Sequence, residues 1–418
     1  MDEANGGPIE SLYVHVPFCA KKCSYCAFYS EASNAERINA YVHALVRELE
    51  MVANDLRPRT IFFGGGTPSL LNLSQWERIL ESMQRLSLSD AIEWTVECNP
   101  ATVSLDKARL LRNYGVNRIS MGVQSLDPAL LEKLGRVHSR QMVFKSFDIL
   151  RRAGFDNLNL DLMFAIPGQT LETWRDTLTE AIAMGSEHLS CYEVIYEEDT
   201  PLYHQLEAGE FAVDENLACA MYDELLGRAE KAGFSQYEVA NFARNAGPGS
   251  SSTRLDRVRD FEAGNLYREQ CVNEEPAVPS PGSPAHACRH NLNYWQGGSF
   301  LGLGPSAAGY VRGVRTKNWA NTDIYCRQLE AGGRAIESID PLPPLARAGE
   351  TAAFGLRMVA GWPFELFRQA TGFDLRDQWP VEMKELIDRG WGRKSADRFQ
   401  LTPQGLRFAD AAAELFLR

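Results

Sequence analysis

An α/β protein is predicted: a partial, TIM-like (β/α)6 barrel followed by a small, mainly helical, winged-helix-like domain. Short apolar strands alternate six times with longer amphipathic helices, and such repeats imply parallel strands joined by right-handed crossovers. The segments that carry chemistry fall at or just after the strand ends, where barrels of this kind gather their ligands.

Taken in order, Ser11–Pro17 reads as a strand leading into a cysteine-rich loop, and Asn34–Leu56 as a helix with Ile38, Tyr41, Val42, Leu45 and Leu49 on one face. Strands are predicted at Thr60–Phe63, Glu93–Cys98, Arg118–Val123, Leu158–Phe164 and Leu189–Val194. Helices fall near Ser74–Leu86, Leu105–Tyr114, Arg140–Ala153 and Leu171–Ala183. This gives a barrel domain over 1–243. Residues 244–287 turn to Gly, Pro, Ser and charged residues and read as a flexible insertion. A barrel-associated extension over 288–340 ends in a linker around Asp340–Pro344. The C-terminal domain, 341–418, is read from helices at Leu345–Val359, Phe364–Thr371 and Val381–Arg389, a short strand Phe399–Leu401, and a last helix Pro403–Phe416 capped by Thr402. It carries no dense basic stripe, so a packing or protein-contact role is favoured over nucleic-acid binding.

The balance of charge excludes several classes. A net charge of −12 over 418 residues disfavours nonspecific binding to nucleic acid or anionic membranes. No apolar run reaches the about 18 residues that a transmembrane helix needs. The acidic, polar start from Met1 to Gly7 does not read as a secretory signal, and the nine scattered cysteines do not read as a secreted disulfide framework. The cytoplasm is the expected compartment, with no integral membrane segment.

Cys19, Cys23 and Cys26 form a C-x3-C-x2-C triplet. Thiolates suit iron–sulfur clusters or zinc, but structural zinc wants four ligands in paired spacings, and no second pair lies nearby. Three thiolates in one loop match three corners of a cubane and leave the fourth iron open to a small ligand. Cys98, Cys191, Cys219 and Cys326 read as small packed hydrophobes. After the second strand, Gly64-Gly65-Gly66-Thr67-Pro68 lets backbone approach a ligand closely. It lacks the lysine of a phosphate loop and the spacing of a dinucleotide fingerprint. Alone it is better explained as a structural turn, and beside an open cluster it suits a ligand with an ammonium and a carboxylate.

With Tyr13-Val14-His15-Val16-Pro17-Phe18-Cys19, Glu97-Cys98-Asn99-Pro100, Arg118–Ser125 and Asn159–Leu162 added, the chain resembles radical S-adenosylmethionine (SAM) proteins of the oxygen-independent coproporphyrinogen III oxidase-like family. The resemblance implies a radical SAM barrel, a [4Fe–4S] cluster on Cys19, Cys23 and Cys26, and SAM chelating the unique iron. It assigns Gly65, Gly66 and Thr67 to the methionine moiety, and Gln124 and Asp161 to the ribose side. Glu97 is a hydrogen-bond acceptor for the ligand, Arg136 a partner for its carboxylate, and Tyr13 and Tyr25 neighbours of the ligand.

Two features divide that family. The oxidases carry a further cysteine two residues after the triplet, where this chain has Phe28. His290-Asn291-Leu292-Asn293-Tyr294-Trp295 matches the H-N-x-x-Y-W pattern of the HemW haem-chaperone branch. The few residues before Cys19 point the same way. A histidine beside Tyr and Trp suits haem, as axial ligand and ring cover, so His290, Asn291, Tyr294 and Trp295 are candidate haem residues, with Cys288 a further possible contact. The resemblance therefore implies a haem chaperone that binds the cluster, SAM and haem, with a haem-acceptor protein and an electron donor such as flavodoxin or ferredoxin as partners. Contact with a membrane-protein acceptor would be transient. The alternatives are a coproporphyrinogen III dehydrogenase, or a radical enzyme acting on another substrate.

Overall fold

The computed structural model describes residues 7–32, 34–245 and 283–417, so most of the 244–287 insertion lies outside the described residues. The six predicted strands form and lie side by side in chain order: β1 (Ile9–Val16), β2 (Leu56–Gly65), β3 (Glu93–Cys98), β4 (Arg118–Gln124), β5 (Leu158–Phe164) and β6 (His188–Glu193). All five pairings are parallel. Beyond β6 the sheet continues antiparallel through β8 (Asn241–Arg244) to β7 (Phe234–Gln236). At the other side β9 (Leu301–Leu303) lies parallel to β1, with Leu12 opposite Leu301. The nine-stranded sheet keeps two edges among the described residues, so the barrel is open.

Alternation along β1 sorts its side chains. Leu12, Val14 and Val16 are fully buried in the core that the helices share with the sheet, while Tyr13 and His15 face the barrel interior with Phe62 of β2. The covering helices begin at side-chain caps: Asn34 accepts from the Glu36 amide, Asn72 from Gln75, Ser139 from Met142 and Thr170 from Thr173. The predicted stripe Ile38, Tyr41, Val42, Leu45 and Leu49 is buried. That first helix, however, spans Ala35–Val52 and does not run to Leu56. A short turn follows and β2 begins at Leu56, because Pro58 cannot sit inside a helix and Thr60-Ile61 favour a strand.

One polar knot ties the two ends of the barrel chain together. The buried Glu48 carboxylate accepts from the Gly304 amide at 2.9 Å, Asn318 Nδ2 at 2.8 Å and the Tyr325 hydroxyl at 2.6 Å. Burial pushes its pKa up while those three donors hold it down.

In the C-terminal region, helices Pro344–Gly355, Phe364–Thr371 and Pro380–Asp388 surround a three-stranded wing of Trp362–Pro363, Arg398–Leu401 and Gly392–Lys394. They share a core of their own that includes Ala348, Phe367, Trp379, Leu386 and Phe416. Two expectations are corrected. The last helix breaks at Phe408 into Pro403–Leu406 and Ala409–Glu414, although Thr402 does cap it, accepting from Gly405 N at 3.0 Å. The expected linker is largely structured, since Ile336–Pro341 pairs antiparallel with Val314–Asn318.

Candidate functional site

A cavity of about 620 Å³ opens at the C-terminal ends of β2–β6. One wall is the cysteine loop. The loop is closed where Phe18–Cys19 pairs with Glu31–Ala32. It is pinned in the middle, where Ser24 donates from N to Leu134 O and from Oγ to Lys133 O. Cys19, Cys23 and Cys26 all line the cavity and are half-buried. Thr67 Oγ1 stands 3.6 Å from Cys19 Sγ and Arg136 Nη1 3.5 Å from Cys23 Sγ, so two donors face the sulfurs that would carry negative charge. Burial raises the pKa of Cys26. Among the described residues no three His, Cys, Asp or Glu side chains gather tightly enough for a single metal ion. Each thiolate of a cubane binds a different iron, so a wider spacing suits a cluster. This donor set fits a [4Fe–4S] cluster, which Cys19, Cys23 and Cys26 would hold.

The glycine turn rests against the end of β1. Gly66 N donates to Val16 O and Thr67 N to Phe18 O, each at 2.8 Å. A Cβ at position 66 would stand 2.7 Å from Phe18 O, and Gly65 has φ +103° with His15 ring atoms 2.5 Å from where its Cβ would be. Glycine is therefore required here by packing as well as by any ligand. Gly65, Gly66 and Thr67 nonetheless line the cavity.

The facing wall is acidic. Glu97, at the end of β3, takes a hydrogen bond from the Gly65 amide; burial first, then the nearby Asp161 charge, push its pKa up to about 8. Asp161 accepts from Ser120 Oγ at 3.1 Å and from Asn159 Nδ2 at 2.7 Å, and burial raises its pKa too. Gln124 lines the cavity with a left-handed backbone, φ +66°, which a non-glycine residue adopts only under constraint. Arg136 also lines it, but its Nη2 is engaged with Gly122 O and its Nη1 with Cys23, leaving only Nε without a partner. Tyr25 lines the cavity.

Two expectations change place. Tyr13 does not line the cavity: the alternation of β1 turns it into the barrel interior, where its hydroxyl is 3.0 Å from His15 Nδ1. The His290 motif forms a short helix, Arg289–Trp295, at the opposite end of the barrel. Glu93, the first residue of β3, caps that helix by accepting from Arg289 N and His290 N, each at 2.9 Å. His290 is 1% exposed, stacks on Phe62, and has both ring nitrogens engaged, Nδ1 with Thr60 Oγ1 at 2.9 Å and Nε2 with the Tyr294 hydroxyl at 2.7 Å. Burial, then Arg118, lower its pKa to about 3. Asn291 is half-buried, and Trp295 lies under the Arg357 guanidinium at 5.0 Å. Cys288 is fully buried against Glu93 and Tyr237. None of these residues meets the cavity. The polar residues in the first halves of their strands that receive this helix, Thr60, Glu93 and Arg118, were missed from sequence; polar side chains early in otherwise apolar strands are the signal that marks them.

A family model of the Radical SAM superfamily matches residues 13–181, and one of the HemN C-terminal domain matches residues 342–408. The heme chaperone HemW of Bacillus subtilis is 31% identical over 98% of this chain and 99% of its own length. The chain belongs to the HemW family. Another HemW, from Escherichia coli, is 30% identical over 98% of both chains. Radical S-adenosyl methionine domain-containing protein 1, mitochondrial, of Danio rerio is 32% identical over 84% of this chain and 73% of its own. The solved structure of coproporphyrinogen III oxidase (HemN) from Escherichia coli superposes with a TM-score of 0.77 at 20% identity, covering 98% of this chain and 90% of that one, which shows a shared fold. Membership of the HemW family, within the radical SAM superfamily, implies a [4Fe–4S] cluster and SAM.

Proposed function

We propose that this HemW-family chain is a haem chaperone that holds a [4Fe–4S] cluster on Cys19, Cys23 and Cys26, binds SAM in the cavity beside it, and passes haem to an acceptor protein. One observation carries the cofactor part: a single cavity brings three thiols together with the turn residues Gly65, Gly66 and Thr67 and the polar residues Glu97, Gln124 and Asp161. Full-length similarity to proteins named heme chaperone HemW supports the haem part. When bound, the cluster supplies an electron to the SAM sulfonium. The chain's own residues orient the ligand: the glycine turn and Arg136 Nε suit its amino-acid end, Tyr25 covers it, and Gln124 and Asp161 suit its ribose. An electron donor such as flavodoxin or ferredoxin would reduce the cluster. No described helix is long and apolar enough to cross a membrane, and we place the protein in the cytoplasm.

Anaerobically reconstituted protein is expected to bind haem and to leave coproporphyrinogen III unchanged. Formation of protoporphyrinogen would replace the chaperone with a dehydrogenase. SAM binding should also report Glu97. Its carboxyl ionises only through about pH 8, and the ligand brings a cationic sulfonium, so affinity falls as acid protonates Glu97 and rises roughly tenfold between about pH 7 and about pH 9. Glu97→Gln should flatten that rise in calorimetric titrations; an unaltered slope would remove Glu97 from the SAM site.

A further inference from the structure

The large hydrophobic side chains left exposed are mostly scattered, as on any soluble surface, but four of them ring one opening. Phe28 is 69% exposed, Ile195 65%, Val137 45% and Tyr192 41%, and all four line the mouth of the cluster cavity. They come from separate segments: the cysteine loop, the stretch after helix Pro128–Lys133, the end of β6 and the loop beyond it. An apolar rim assembled from distant segments marks a binding surface. Its charge is uneven. Lys21 and Lys22, both exposed and in no ion pair among the described residues, stand on the cysteine loop, while Glu193 and Glu197 belong to the end of β6 and the loop beyond it.

We propose that this rim is the haem-docking face, with the macrocycle lying over Phe28, Val137, Tyr192 and Ile195 and its propionates turned to Lys21 and Lys22. The proposal rests on the haem-chaperone reading and gives that reading a place. A planar, largely apolar disc with two carboxylates on one edge matches an apolar ring whose two unpaired lysines are grouped on one loop. SAM and a cubane would occupy the 620 Å³ beneath, which keeps the disc at the mouth with its outer face open for hand-over. Among the described residues no histidine or methionine is exposed on the rim. Among the described rim residues Tyr192 is of a type that ligates haem iron, and the nearby Asp161 charge disfavours the phenolate that ligation needs. Binding is therefore led by the face and the carboxylates rather than by an iron ligand. His290, at the far end of the barrel, has both ring nitrogens engaged.

The test uses the full chain with its cluster reconstituted and SAM added, titrated with haemin and, separately, with metal-free protoporphyrin IX. Phe28→Ser with Ile195→Ser, and Lys21→Glu with Lys22→Glu, should each weaken haemin binding by about tenfold or more. Cluster absorbance and SAM affinity, measured on the same samples, should hold. Val381→Ser, 70% exposed on the C-terminal domain, should bind haemin as the wild type does. Protoporphyrin IX should bind the wild type within about threefold of haemin, since no strong iron ligand is involved. Rim variants that retain wild-type haemin affinity would overturn the proposal and leave the chaperone reading standing. A His290→Ala protein that alone loses the haemin spectrum would overturn it in favour of the motif. A wild type that binds no haemin would overturn both.

Discussion

Cys23→Ala protein, reconstituted anaerobically with iron and sulfide, should retain less than about a tenth of the wild-type cluster absorbance. The triplet supplies three thiolates from one loop, and Cys23 is the one that faces the Arg136 guanidinium, at 3.5 Å. Removing it takes away one of three anchors, and two thiolates cannot hold a cubane, so iron is lost rather than held loosely. The fold should hardly notice. Cys23 is half-buried, and the loop stays pinned by Ser24 to Leu134 O and Lys133 O, so the melt of cluster-free protein should shift by no more than about 1 kcal/mol. Cys219→Ser, in the helix Glu215–Lys231 away from the cavity, is the control that keeps its cluster. Wild-type iron content in Cys23→Ala would sink the assignment of the triplet.

Gly65→Ala should damage both the fold and the SAM site. The residue sits at φ +103°, where an L side chain costs about 1–2 kcal/mol. Its new Cβ would meet the His15 ring at 2.5 Å. That ring cannot swing aside, because it is 5% exposed and held by the Tyr13 hydroxyl at 3.0 Å and Tyr29 O at 2.9 Å. Overpacking of this kind adds about 1–3 kcal/mol. The shifted backbone would also carry the Gly65 amide away from Glu97, and SAM affinity should fall by about a hundredfold or more. Gly168→Ala separates the two causes, since position 168 has φ +85° but nothing within 4 Å of its Cβ. Equal melting temperatures and equal SAM affinities for the two variants would show that the His15 contact does not matter.

Much of the barrel was legible because its strands are short, apolar and separated by helices with clear stripes and caps. The cluster loop was legible for a different reason: three thiols in so few residues have little else to do. What escaped notice depends on partners far along the chain. Leu301–Leu303 is too short to show a period, and only its pairing with Leu12–Val14 makes it a strand. The helix Glu215–Lys231 packs on both β5 and the helix Leu171–Ala183, so its apolar residues do not fall on one clean stripe. Tyr13 was placed beside the ligand by its motif, whereas strand alternation already turned it to the barrel interior. His290 shows the limit of a motif most plainly: its residue types speak of haem, but Glu93, Thr60 and Phe62, which bury it, cannot be inferred from spacing.

The Glu48 knot and the β1–β9 pairing bear on when this protein becomes itself during synthesis. β1 is made before the other described strands, yet one of its two neighbours in the sheet is Leu301–Leu303, and Glu48 waits for Gly304, Asn318 and Tyr325. Contacts that span so much chain slow folding. Until the segment from Leu301 to Tyr325 has been made, β1 keeps an unpaired edge and Glu48 lacks these three donors, so the cysteine loop that β1 supports is best loaded late, once β9 has closed on β1.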